Sequence, residues 1–262
     1  MISYSAFIVE TFIQTLVSQG LLFLLFVGSV YALVWRIGHK YFAHRRIHTK
    51  RTTDRTQISS ELRHTSAALI VAAANGTAVI VLWKAGFTKI AMADMSSSFL
   101  YETLSIIGLI TFNDAWFYCC HRLMHHPKIF HRFHAIHHRS IDVNPFTSYS
   151  FHIVEALILS GWIVPFVIFV PLSIPTLGCV QVIGTINNIM SHLGYEMYPQ
   201  WLIKVPILKW LNTATFHSLH HSHFNGNYGL FFRFWDHLFG TQIKNYEKQF
   251  LQRGSLNPPD PS

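Results

Sequence analysis

FNDAWFYCCHRLMHHPKIFHRFHAIHHR, residues 112–139, runs from an apolar, aromatic segment straight into His121, His125, His126, His131, His134, His137 and His138. On a helix His121 and His125 are one turn apart, and His134, His137 and His138 are related by three and four residues. Each set can therefore aim its imidazoles from one face. Histidine is also the commonest metal-binding side chain. Far downstream, His217-Ser218-Leu219-His220-His221 repeats the spacing of His134-Ala135-Ile136-His137-His138. A repeated cluster argues for a built site.

The rest of the chain has the composition of a membrane protein. Half of its 262 residues are hydrophobic, 12% are charged, and the mean hydropathy is +0.29. The length suits one membrane domain, 1–262, with a polar tail read as disordered from about 255 to 262. A net charge of +8 would suggest nucleic acid in a soluble protein, but here the basic residues flank apolar segments, which is a membrane-topology pattern. Cys119, Cys120 and Cys179 sit in apolar surroundings without a Cys-x-x-Cys pattern, so buried thiols are expected rather than disulfides. The N-terminus lacks a positively charged lead and a small-residue cleavage site, and reads as a retained segment.

Five stretches are apolar enough to enter a bilayer: about 12–35, 65–83, 99–120, 151–170 and 172–190. The predicted architecture is all-α and multi-pass, with four to five apolar helices. The last two stretches, parted at Pro171, should form a tight hairpin, kinked or closely packed at Gly161, Pro165, Gly178 and Gly184. Eight basic residues (Arg36, Lys40, Arg45, Arg46, Lys50, Arg51, Arg55 and Arg63) lie between the first two stretches, whereas the next loop holds only Lys84 and Lys89. By the positive-inside rule the 36–64 loop is cytoplasmic and the N-terminus is outside. Counting crossings then brings both histidine clusters, as a cap, and the C-terminus to the cytoplasmic side. The short 201–210 segment, with aromatic ends and two lysines, suits the headgroup region.

Eight clustered histidines are too many for one tetrahedral zinc and enough for two metals with open positions. Imidazole suits iron, zinc, copper and nickel alike. Asp114, two helical turns before His121, is expected to accept the second N–H of a ligating imidazole. Asn188, His192 and Glu196 share one helical face: His192 as a ninth ligand, Asn188 beyond the ligands or on water, Glu196 as support. His126, His131 and His223 point off the ligand face. His152 reads as packing or support, and His39, His44, His48 and His64 as part of a headgroup-coating basic loop.

With His-x-x-x-His at 121–125 and His-x-x-His-His at 134–138 and 217–221, the sequence resembles the fatty acid hydroxylase/sterol desaturase superfamily of membrane di-iron enzymes. Asn144-Pro145-Phe146, Ser191-His192-Leu193-Gly194-Tyr195-Glu196, Asn225-Gly226-Asn227-Tyr228-Gly229 and Trp235-Asp236-His237-Leu238-Phe239-Gly240 support the likeness, which covers roughly 103–246. The resemblance implies a di-iron centre on His121, His125, His134, His137, His138, His192, His217, His220 and His221. It further implies molecular oxygen as co-substrate and hydroxylation or desaturation of a lipid C–H bond.

The chain shows no haem, flavin or nicotinamide motif, so electrons are expected from an external ferredoxin or cytochrome-type donor. A bacterial inner membrane and an endoplasmic reticulum both fit. The same fold acting on a carotenoid, ether lipid or aldehyde is the alternative enzyme reading. A histidine-rich metal transporter is disfavoured, because its ligands would spread through the membrane at several depths.

Overall fold

The computed structural model describes residues 3–48, 53–91 and 98–253; Lys50, Arg51 and the 255–262 tail lie outside them. Among the described residues three helices are long and apolar enough to cross a membrane. The first is α1 (Tyr4–Phe23), prolonged by π-helical turns at Leu24–Gly28 and Tyr31–Ile37, so that one rod runs from Tyr4 to Ile37. The others are α2 (Arg55–Lys84) and α3 (Phe99–Met124). Each starts on an oxygen-bearing cap: Ser3, Asp54 and Ser98 accept N–H bonds from Ala6, Gln57 and Tyr101. Their large side chains point outward. Val9, Ile13, Val17, Leu21, Leu100, Leu104 and Ile107 are all exposed, the pattern of a surface solvated by lipid. The α1–α2 seam is made of small residues: a Cβ on Gly76 would stand 2.7 Å from Thr15 Cγ2.

The fourth apolar stretch differs from the expected single helix. It breaks at Gly161 into α5 (Ile153–Ser160) and α6 (Ile163–Phe169), forming a shorter apolar pair. A chain reversal follows, in which β2 (Leu172–Ser173) pairs in parallel with β1 (Ile90–Ala91), and α7 (Ile174–Ser191) returns. Cys119 and Cys179 are exposed rather than buried, since the outward faces of these helices are apolar enough to carry a thiol. Asn75, in the Asn75-Gly76-Thr77 triplet, donates to Ser160 Oγ inside the bundle.

Beyond the bundle lies a cap of short elements: α4 (Pro127–Phe133), α8 (Ala214–His223), α9 (Phe234–Leu238) and α10 (Tyr246–Arg253). The basic loop after α1 packs onto this cap. Arg46 Nη2 donates to both carboxylate oxygens of Asp142 at 2.7 and 2.9 Å and its guanidinium lies over the rings of Trp35 and Tyr195, while Arg45 donates to the carbonyls of Glu196 and Met197. His48 likewise reaches Ser218 Oγ at 2.7 Å instead of coating headgroups. The 201–210 segment is two 3-10 turns, with Trp201 and Ile207 exposed and Leu202 buried.

Candidate metal centre

The two His-x-x-His-His runs fold differently. His217–His221 lies on α8, but His134 caps the end of α4 and His137–Arg139 is a 3-10 turn. Both runs divide between two clusters. His121, His125, His134, His138 and His220 form one set, and His137, His192, His217 and His221 the other, with the candidate donor atoms of each set within 4.8 Å of one another. All nine histidines singled out in the sequence are thus brought together. All are buried except His125, which is partly exposed.

Backbone carbonyls orient the rings. Nδ1 of His121 faces Tyr228 O at 2.9 Å, His137 faces Ser150 O at 3.2 Å, His192 faces Asn188 O at 2.8 Å and His220 faces Gly226 O at 2.7 Å. A carbonyl only accepts, so each Nδ1 carries the proton and each Nε2 keeps its lone pair for the interior. His134 Nδ1 meets Glu155 Oε1 at 2.7 Å, and an ionised carboxylate there leaves the proton on Nδ1 in the same way. The bare Nε2 atoms of His137 and His192 face each other at 3.3 Å, and Nε2 of His121 lies 3.1 Å from Nε2 of His134. The His137–His192 pair cannot hydrogen-bond without an extra proton. Burial opposes that proton: it lowers His134, His137, His217, His220 and His221 well below the usual imidazole range, and His192 to about 4. His220 Nε2 and both nitrogens of His221 are buried without a partner.

These observations fit a bound cation in each set. Two nitrogens about 2.1 Å from one metal stand about 3 Å apart at a right angle, and His138 Nε2 lies 3.1 Å from Nε2 of both His125 and His134. An all-imidazole donor set suits first-row transition metals.

Asp114 does something other than expected. Its Oδ1 accepts backbone N–H bonds from Leu230, Phe231 and Phe232, its Oδ2 accepts from Trp235 Nε1, and it touches no imidazole. Seven residues of helix separate it from His121 by about 10 Å, too far for a short carboxylate. Together with Asp236, which accepts from the N–H groups of Tyr228 and Gly229, it clamps the loop whose Tyr228 carbonyl orients His121.

The Asn188 side chain donates to Ser148 O, and its carbonyl holds His192. Glu196 supports the site by accepting from the Tyr198 N–H and from the Thr215 N–H at the start of α8. Gly194 ends the turn after His192 at φ +74°, where a Cβ would collide with the Val143 carbonyl. His126 and His152 are N-caps of α4 and α5, while His131 and His223 are exposed; none joins either set.

Glu155 was visible only as an acid in an apolar stretch. Glu61 was no clearer in the sequence; its carboxylate gathers Ser140, Asn144 and Thr147, fixing the turn after His138.

The comparisons agree with the geometry. The family model for fatty acid hydroxylase matches residues 106–241. The chain is 33% identical over 210 residues to the Delta(7)-sterol 5(6)-desaturase erg3B of Aspergillus fumigatus, covering 77% of this chain and 58% of that protein. It is 33% identical over 164 residues to the very-long-chain aldehyde decarbonylase GL1-4 of Oryza sativa subsp. indica, covering 58% of this chain and 26% of that protein. The chain therefore spans a quarter to about three-fifths of the length of these relatives. No solved structure matches it. With its apolar helices and its histidine cap, the chain is an integral membrane protein that belongs to the fatty acid hydroxylase family.

Proposed function

We propose that the nine histidines hold two iron ions and that the protein uses molecular oxygen to hydroxylate or desaturate a C–H bond of a membrane lipid. The facing bare Nε2 atoms of His137 and His192 carry this reading, because a cation held by both relieves their repulsion. Bound there, two irons supplied with two external electrons would activate oxygen against an unactivated carbon. The chain's own part is to keep nine imidazoles neutral and aimed inward, and to exclude water by burial. Similarity to sterol desaturases and aldehyde decarbonylases supports a lipid substrate, and the latter also keeps open a long-chain aldehyde. Electrons come from a separate ferredoxin or cytochrome-type protein, and the histidine cap faces the cytoplasm. In this reading Asp114 and Asn188 support the ligand shell through the loop and the carbonyl described above.

Metal content of the detergent-purified protein tests the proposal. About two irons per chain, lost in a His137→Ala, His220→Ala double variant that removes one ligand from each set, is the expected result. Oxygen-dependent change in lipids of cells expressing the wild type, absent with the variant, would then identify the substrate. One zinc per chain, or metal retained by the variant, would overturn the assignment.

A further inference from the structure

The five-histidine set has one element that its neighbour lacks. In the four-histidine set the oriented rings lean on neutral carbonyls, those of Ser150 and Asn188. In the five-histidine set His134 leans on a carboxylate: Glu155 Oε1 lies 2.7 Å from Nδ1, with the side chains 0% and 1% exposed. The other oxygen, Glu155 Oε2, is buried without any hydrogen-bond partner. Among the described residues no arginine or lysine pairs with Glu155. A carboxyl group buried this way is costly to ionise, and an ion on the far side of the His134 ring would offset that cost.

We propose that Glu155 is a positioning residue that makes the two metal positions unequal, the one at His121, His125, His134, His138 and His220 binding its ion more tightly and favouring its higher oxidation state. The inference rests on the two-metal reading. By drawing on the Nδ1 proton, the carboxylate makes Nε2 of His134 a stronger donor, and its negative charge offsets that of the ion. The other position, backed only by neutral dipoles, holds the more readily reduced and more readily lost ion.

The test uses the intact, iron-loaded protein. Wild type should show two distinct Mössbauer doublets of equal area and release its ions in two steps under rising chelator. In Glu155→Gln, which keeps the shape and an acceptor oxygen but not the charge, one ion should leave at a chelator concentration 10- to 100-fold lower, roughly the range for such supporting residues. One doublet should shift and the other stay. Glu155→Asp should restore part of the affinity. A single doublet with one-step release in wild type would overturn the inference without any variant, as would an unchanged release profile in Glu155→Gln. Fewer than two ions in wild type would sink the two-metal reading itself, and this inference with it.

Discussion

At the scale of single residues, chemistry alone does not say which acid serves the imidazoles. Asp114 was the obvious candidate, yet it takes the densest donor set within reach, three backbone N–H groups and an indole N–H. Removing it should act on folding first. Asp114→Ala strands four donors, three of them backbone groups, and should cost about 3–5 kcal/mol, lowering the melting temperature by about 10 °C. Asp114→Asn, which keeps one acceptor oxygen, should fall between. Metal loss with no change in the melting curve would instead mean that Asp114 acts on a ligand directly. The histidines that gather into the two sets were legible because imidazoles at spacings of three and four are rare without a reason. The carbonyls of Ser150, Asn188, Gly226 and Tyr228 were not, since a backbone oxygen has no signature in the sequence.

At the scale of elements, the long uninterrupted apolar runs gave α1, α2 and α3 their places, because a helix of bilayer length needs only composition and caps. The later stretches were harder. Gly161 divides the fourth into α5 and α6, whereas the fifth stays one 18-residue helix, α7, whose Asn187 and Asn188 donate to Leu230 O and Ser148 O. His134–His138 do not share one helical face, because α4 ends at Phe133. The unbroken α8 also divides its histidines, His220 going to one set and His217 and His221 to the other, so the His-x-x-His-His spacing itself serves two sets. The basic loop was read as a topology signal, yet its Arg46 also binds Asp142.

Burial raises the Asp142 carboxyl to about 6, overcoming the opposing pull of Arg46. A carboxyl whose folded pKa exceeds its unfolded value near 3.9 stabilises the fold fully below that lower value, and the contribution is lost as pH rises through about 6. The melting temperature of wild type relative to Asp142→Asn should therefore climb as pH falls from 7 to 4. A difference that stays flat or shrinks over that range would show that the Arg46 pair, not burial, sets the titration.

For the whole molecule, the decisive relation is that the basic loop and both histidine sets share one end of the bundle. Arg45 and Arg46 reach Glu196 and Asp142 directly, and His48 reaches Ser218 between the clustered histidines of α8. Whichever side of the membrane that loop occupies, the candidate metal centre occupies it too. The proposed orientation, with the cap in the cytoplasm and the β1 end opposite, rests on the positive-inside rule and would let a cytoplasmic electron donor reach the cap. Single cysteines placed at His39 and at Lys89, in a background with Cys119, Cys120 and Cys179 changed to Ser, separate the two orientations. A maleimide too polar to cross the membrane should label the Lys89 position from outside intact cells and the His39 position only after the membrane is opened. The reverse pattern would turn the molecule over and put the histidine cap outside, away from any cytoplasmic electron donor, so the oxygenase reading would need a different source of reducing equivalents.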